Sequence, residues 1–506
     1  MKKEILFTLL ISLSLVGCQP SSKSSSGSSA SLGTTKIEIF SSNDLHGQIE
    51  KQPGRCGILE YAQFFMERGK KANTLLIDQG DSWQGSIYSN HNHGAMVSEI
   101  MSYIGVDART VGNHDFDWGT EYLISNTALQ PYNKVYNLAG NVYSFNFNTK
   151  EVGDEQLSSM GDKHAIFTLE NGLKVGVLGG IGKNQITSIC SLYTQDLTFT
   201  DHIEYIKSES QILKDEGCDV IIAAMHTGQD ELLGYDLSDY VDLVLCGHTH
   251  REERTTENGL LFVQSRAYTQ SFAHITLTYD LDKKDVTKSK VEFISNDDVS
   301  YSVNTIDPNL REIYSKYYQP CNEEAVQVVA NNVSGYFDME NQAPNLMAKA
   351  IYEQAIEEGY DDICLSYVNV ARNSLSSDMW TYANVYQSFP FDNEVVIAEI
   401  KGSEFLYEIC NYNYIFRNPS FTANEIDPNG TYKIAILDYL YYHTNANRYY
   451  DYFSRTGGTS TTYLSKNYRE ILRDYLIENY SNGEQLSASA FDSSLPQHNQ
   501  TVFYSA

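Results

Sequence analysis

An α/β fold followed by a second, α+β domain is what this sequence predicts, on three observations. Short apolar runs recur without polar alternation, in "KIEIFSSNDLHG", "NTLLIDQGDSWQG", "DARTVGNHDFDWG", "KVYNLAGNV", "LKVGVLGG", "DVIIAAMHTG" and "VDLVLCGHTH". Runs of about four to six apolar residues suit strands buried on both faces. Stretches of helical period, such as "EYAQFFMERGKK" and "HIEYIKSESQILKDEG", lie between several of them, and strand–helix alternation marks an α/β sheet. The pattern continues through "FAHITLTYDL" and fades near residue 297, where a Tyr-rich region begins. A chain of 506 residues also exceeds what one core normally organises, so two domains are expected.

Each segment has its own reason. The chain opens "MKKEILFTLLISLSLVGCQP", two lysines ahead of an apolar run over residues 5–16. That run falls short of the ~20 residues a membrane helix needs, so residues 1–17 read as an export signal. Leu15-Val16-Gly17-Cys18 resembles the bacterial lipoprotein lipobox, which implies cleavage before Cys18, a lipid on its sulfur, and a membrane contact through that anchor alone. Residues 18–35, rich in serine, form a flexible tether. The α/β domain is expected over 36–305. A connecting helix follows over 306–324, begun by Asp307-Pro308 and stopped by Pro320. The second domain, 325–506, opens on a helix, "NLMAKAIYEQAIEEG", and then mixes short strands with loops. No other stretch is long and apolar enough to span a bilayer. Beyond Cys18 the cysteines are scattered, with no CxxC pair; their odd number leaves at least one free outside the cytoplasm, and nothing in the pattern sets an oligomeric state.

The formal charge of −29 argues against a nucleic-acid polymer or an anionic membrane surface as partner, since both reward Lys and Arg. It equally repels any anionic substrate unless bound cations or a local basic patch offset the field.

The polar residues that close the apolar runs carry the chemistry. Asp44 and His46 form D-x-H; Asp81 lies in "DQGDSWQG"; Asn113 and His114 lie in "GNHDFDWG"; His226 ends "DVIIAAMH"; His248 and His250 close "VLCGHTH". In α/β sheets ligands sit beyond the carboxyl ends of the strands, where every one of these clusters falls. Carboxylates, an amide oxygen and imidazoles without a thiolate suit Zn, Mn, Fe or Co. The set exceeds what one ion takes, whereas two ions sharing one carboxylate use it all. Ions ~3.5–4 Å apart form the clamp that in-line phosphoryl hydrolysis needs.

The order D-x-H, G-D-x-x-Q-G, G-N-H-D-x-D-x-G, M-H-x-G, G-H-x-H resembles the calcineurin-like metallophosphoesterases. More narrowly, it resembles the bacterial 5′-nucleotidase family, which includes UDP-sugar hydrolases and 2′,3′-cyclic-nucleotide phosphodiesterases. The resemblance implies a four-layer αββα metallophosphoesterase sandwich followed by a separate substrate-binding domain. It also implies two divalent ions (Zn, Mn or Co), one held by Asp44, His46, Asp81 and His250, the other by Asp81, Asn113, His226 and His248, with Asp81 bridging. His114 is then no ligand; it stabilises the phosphoryl oxygens or the leaving group, with Asp117 as its carboxylate partner. Asp115 is left without a role, and Gly112 and Gly119 are expected to let the backbone turn tightly.

In the second domain, "YVNVARNSLSSDMWTYANVYQSFPFDNEVVIAEIKG" resembles the family's substrate-binding region. Arg372 falls where the family places a nucleotide-contacting arginine, and Phe391 where it places a base-stacking aromatic. Two features depart from that pattern: "YVNVAR" replaces the glycine-rich form, and no arginine lies between Arg311 and Arg372. "HTNANRYYDYF" leaves Tyr449 or Tyr450 as the second stacking aromatic. The expected activity is hydrolysis of nucleoside 5′-monophosphates to nucleoside and phosphate outside the cytoplasm. A 2′,3′-cyclic-nucleotide phosphodiesterase and a nucleoside-diphosphate-sugar hydrolase share the same metal site. A non-catalytic surface binding lipoprotein is the alternative of another class, against which the intact ligand set argues.

Overall fold

The computed structural model describes residues 31–146, 151–156, 161–194, 197–376, 378–403, 415–417, 426–442, 462–495 and 498. Cys18, Cys410, Tyr449, Tyr450 and the export signal lie outside them.

Two six-stranded sheets form the first half. In one, the order is Asp285–Ser295, Ser271–Asp280, Thr34–Ser42, Thr74–Asp78, Ala108–Thr110, Tyr136–Leu138. In the other it is Glu253–Glu257, Leu260–Gln264, Leu243–Leu245, Val220–His226, Lys174–Ile181, His164–Thr168. The four strands from Thr34–Ser42 to Tyr136–Leu138 run parallel, as do those from Lys174–Ile181 to Leu260–Gln264. Parallel pairing requires burial on both faces, and the continuous apolar runs supply it. Ile37, Leu75, Val177 and Ile222 fill a core between the two sheets. The outer face of the first sheet meets helices Ile58–Gly69 and Ala95–Ile104 through Phe40, Leu76, Phe65 and Ile100. The outer face of the second meets helix His202–Asp215 through Ile221, Met225, Ile206 and Leu213. The result is the four-layer αββα sandwich.

The first strand begins at Thr34, inside the stretch expected to be tether. Ser31 and Leu32 also bond the Asp282 carboxylate, which draws the chain against the sheet before residue 35. The connecting helix spans Pro308–Ala325, with the Asp307 side chain accepting from Asn309 N and Leu310 N at its start. The expectation that Pro320 stops it is wrong. Pro320 lies inside the helix, because the next residue, Cys321, and Ala325 beyond it are fully buried in the core, and that burial outweighs the hydrogen bond the ring removes.

The second half holds a three-stranded sheet built on Val328–Ser334 and a five-stranded sheet around Thr431–Leu437 and Val395–Lys401. Helices Gln342–Glu357 and Tyr468–Tyr480 pack beside them. One apolar cluster runs from Phe65 and Ile100 through Leu310 and Cys321 to Leu346 and Leu472. The six described cysteines, Cys56, Cys190, Cys218, Cys246, Cys321 and Cys364, are all free.

Candidate metal centre

The expected ligands arrive from five strand ends. Asp44 and His46 follow Thr34–Ser42, Asp81 follows Thr74–Asp78, and Asn113 follows Ala108–Thr110 on a short 3-10 turn, Asn113–Phe116. His226 is the last residue of its strand, and His248 and His250 follow Leu243–Leu245. Five of these residues have left-handed backbone: Asp44 (φ 51°), His46 (48°), Asp81 (52°), His248 (76°) and His250 (62°). Such conformations cost non-glycine residues of order 1–3 kcal/mol each and collect where function needs them.

Their donor atoms fall into two groups, Asp44–His46–His250 and Asp81–His226–His248, with the donors of each group within 4.8 Å of one another. Asp81 stands between them. Its Oδ1 accepts the His114 N–H at 2.8 Å, while Oδ2 lies 3.2 Å from His226 Nε2 and 3.9 Å from His46 Nε2. That Oδ2 is buried with no hydrogen bond of good geometry, and His226 is the cation that faces it in this structure. Asn113 Oδ1 sits 3.1 Å from His226 Nε2 and 3.0 Å from His248 Nδ1. His46 Nδ1 faces the Gln84 carbonyl at 3.0 Å and His226 Nδ1 faces that of Gln79 at 2.7 Å. A carbonyl only accepts, so each Nδ1 keeps its proton and each Nε2 is turned toward the centre.

The protonation of the cluster agrees. Burial holds the His46 imidazole well below its usual range, with Arg372 adding to the effect. Burial, then neighbouring cations, lowers His248 to about 4 and His250 to about 2. These three are therefore neutral lone-pair donors near neutral pH. Burial raises Asp44 to about 6. His226 is the exception: burial opposes its charge, but Asp81 and Asp44 outweigh burial and raise it to about 10. Oxygen and imidazole donors gathered in two groups around the Asp81 carboxylate fit two divalent cations.

His114 lies at the rim, its Nδ1 donating to Asp117 Oδ2 at 2.8 Å. Burial opposes its charge, yet Asp117 and Asp81 prevail and raise its pKa. Phe391 stacks over His114 with ring centroids 5.2 Å apart. Arg372 Nη2 donates to His46 Nε2 at 2.9 Å, and Arg372 Nε donates to Tyr268 Oη at 2.8 Å. Together His114, Asp117, Arg372, Phe391, Asn393 and Tyr439 border a cavity of about 240 Å3. Eleven expected residues thus converge. Of the expected pair Tyr449 and Tyr450, and of Cys18, nothing is described.

Several residues that hold the site were missed from sequence. Arg109, 1% exposed, pairs through Nη2 with Asp115 Oδ2 at 2.5 Å and lies 3.9 Å from Asp78 Oδ1, its guanidinium 3.8 Å over the Trp83 ring. Asp115 in turn accepts the Gly112 N–H at 2.7 Å. Asp115 therefore has a role after all: it ties the ligand loop to the strand beneath. A lone arginine inside the apolar run "DARTV" was the available signal. Arg469, also buried, donates to the carbonyls of Phe389 and Phe391 and to Asp392, while Trp118 Nε1 donates to Asp392 Oδ2 at 2.6 Å. Gly112 also needs correction, because its φ of −107° is open to any residue. It must be glycine for space: a Cβ would sit 2.1 Å from Asp81 Oδ1. Gly119, at φ +83°, does make the turn expected of it.

A two-sheet sandwich with paired metal-ligand groups at its strand ends is an arrangement suited to two divalent ions. Residues 39–252 match the calcineurin-like phosphoesterase family, and that segment of the chain is a calcineurin-like phosphoesterase domain. Over 456 residues, 80% of this chain and 37% of the relative, the sequence is 24% identical to endonuclease YhcR of Bacillus subtilis. It is 32% identical over 229 residues, 42% of this chain, to the 5′-nucleotidase of Diplobatis ommata, again 37% of that protein. The chain thus spans well under half the length of these two relatives. The crystal structure of a 5′-nucleotidase precursor from Thermus thermophilus superposes over 88% of this chain and 96% of that one, with a TM-score of 0.70 at 18% identity. The shared fold therefore extends through the second half.

Proposed function

We propose that this chain is an exported phosphoester hydrolase that cleaves nucleoside 5′-monophosphates to nucleoside and phosphate. The observation that carries the reading is the convergence of two metal-ligand groups on the buried Asp81 carboxylate, beside the His114–Asp117 pair that borders a cavity with Arg372 and Phe391. Asp44, His46, Asp81 and His250 would hold one divalent ion, and Asp81, Asn113, His226 and His248 the other. The pair supplies positive charge and an activated water for in-line attack at phosphorus. The protein's own part follows from the geometry. Asp117 fixes the His114 tautomer, so that Nε2 serves the phosphoryl oxygens or the ester oxygen that departs when the P–O bond breaks. Arg372 offers a fork of donors to the phosphoryl group, and Phe391 offers a face to the base. In this reading residues 36–305 carry the chemistry and 325–506 bind the substrate.

Names among the relatives point to mononucleotide and to polynucleotide substrates alike. A confined cavity in a chain of charge −29 favours a small phosphate ester, since polymers reward a basic surface. A screen of AMP by phosphate release, and of 2′,3′-cyclic AMP, UDP-glucose, NAD and single-stranded DNA by chromatography of their products, with Mn2+, Zn2+ or Co2+ and with chelator, tests this. AMP should lead and chelator should abolish its hydrolysis; no hydrolysis of any ester in any metal would leave only a binding lipoprotein. Asn113→Ala should weaken one of the two metals by at least about tenfold, since even the partners of metal ligands carry that much. Metal content after graded chelation reads it, and loss of both ions together would contradict the assignment.

Export and lipidation rest on residues 1–18. No helix among the described residues is long and apolar enough to cross a membrane. With Cys18→Ala, the protein should move from the membrane fraction to the soluble fraction; continued membrane retention would remove the anchor.

A further inference from the structure

Residues 390–392, "PFD", meet the α/β half at every position. The Pro390 carbonyl accepts from Gln84 Nε2 at 2.7 Å and from Asn90 Nδ2 at 2.6 Å. The Phe391 ring stacks on His114, with 26° between the planes, and the Asp392 carboxylate accepts from Trp118 Nε1. From the second half, Arg469 donates to the carbonyls of Phe389 and Phe391 and to Asp392. Gln84 and Asn90 are 1% and 3% exposed, and Pro390 is buried with them. A carbonyl has two lone pairs, and the two amides fill both. A buried amide donor without an acceptor is costly, so two of them on one carbonyl hold the backbone of residue 390 in place. Asn90 is itself fixed, because its Oδ1 accepts the Gly85 N–H at 2.9 Å. Gln84 is fixed too, since its own carbonyl accepts from His46 Nδ1 at 3.0 Å. One residue thus touches a candidate metal ligand with its main chain and the Phe391 loop with its side chain.

We propose that Gln84 and Asn90 are positioning residues for the nucleoside part of the substrate. Through the Pro390 carbonyl they set the Phe391 ring against His114, so that the seat for the base is built by both halves of the chain. Phe391 borders the larger cavity beside His114 and Asp392, one peptide unit from the carbonyl that the amides hold. Without those donors the backbone at residue 390 is free to shift, and the face of the ring shifts with it. Asp44, Asp81 and Asn113 stand on strand ends of the first sheet, so the phosphoryl end of a substrate is met by residues outside this loop. The effect therefore falls on ligands that carry a base.

The inference rests on reading the larger cavity as a nucleotide site. Gln84→Met keeps the length of the side chain and the carbonyl that faces His46; Asn90→Asp keeps the acceptor for the Gly85 N–H. Each removes a donor to Pro390, and the charge that Asn90→Asp adds acts on all phosphate esters alike. On the metal-loaded full chain, kcat/KM should be measured for AMP and for ribose 5-phosphate, and adenosine binding by calorimetry, in the natural protein, both single variants and the double variant. In the double variant the ratio of AMP to ribose 5-phosphate should fall by about tenfold or more, the worth of two hydrogen bonds, and adenosine affinity by a similar factor. The single variants should fall between. A merely structural role would lower both esters together and leave the ratio standing. That result, unchanged adenosine affinity in the double variant, or a natural protein that binds no adenosine overturns the assignment. Turnover separates the two readings. If the natural protein hydrolyses neither ester the hydrolase falls, while adenosine binding still decides the seat; if AMP is hydrolysed and the ratio does not move, the seat alone falls.

Discussion

His114→Ala is expected to lower turnover of a nucleoside monophosphate by about 10²–10⁴-fold, the range for a positioned proton donor or acceptor, while both metal ions remain bound. The split between the two readouts follows from placement. His114 offers Nδ1 to Asp117 and is absent from both metal-ligand groups, so no ligand is lost. Its backbone N–H, which holds Asp81 Oδ1 at 2.8 Å, survives the substitution, so the proposed bridge stays in place. What disappears is the imidazole between Asp117 and Phe391. Asp117→Asn should show a smaller loss of the same kind, because an amide oxygen still accepts from Nδ1 but no longer supports an imidazolium. Turnover with metal analysis decides it: loss of metal from His114→Ala would make the residue a ligand, and loss of less than about tenfold would leave it a spectator.

The second large effect is on stability. Arg109→Met should cost about 3–5 kcal/mol, the penalty for breaking a buried ion pair and leaving its partner charged. Asp115 and Asp78 both face that guanidinium, and both are fully buried. Met matches much of the stem's volume, so the loss reports charge and not a void. The double variant Arg109→Met, Asp115→Asn should recover part of it, because it removes one orphaned charge while an amide oxygen can still accept the Gly112 N–H. Denaturant unfolding of metal-free protein keeps metal linkage out of the comparison. A cost under about 1 kcal/mol would mean that Arg109 is not holding the ligand loop.

The convergence of the candidate ligands was legible because its signal is local. Strands buried on both faces announce themselves as apolar runs, and a polar residue at the end of such a run has few reasons to be there. Helices Ile58–Gly69 and His202–Asp215 were readable for the same reason, through their period. Pro320 misled because a local rule about helix stops lost to the burial of Cys321 and Ala325. Gly112 misled in the other direction: glycine suggests a backbone angle, whereas the constraint is the approach of Asp81 from another strand. In the second half the short strands carry weaker patterns, and Arg372 and Phe391 were found through likeness to a family and not through their own neighbours.

By itself the sequence determined which chemistry this protein can hold: seven metal-capable groups at strand ends and a histidine with a carboxylate three residues on. Tertiary structure alone decided how those groups are shared. It set Asp81 between two ligand groups, put Arg109 beneath the ligand loop, and brought Gln84 and Asn90 onto the carbonyl of Pro390, 306 and 300 positions away in sequence. The physical reason is range. Periodicity and strand-end polarity are set by neighbours in the chain, whereas shared ligands, buried counterions and contacts between the two halves depend on which distant segments the packing brings within a few ångströms.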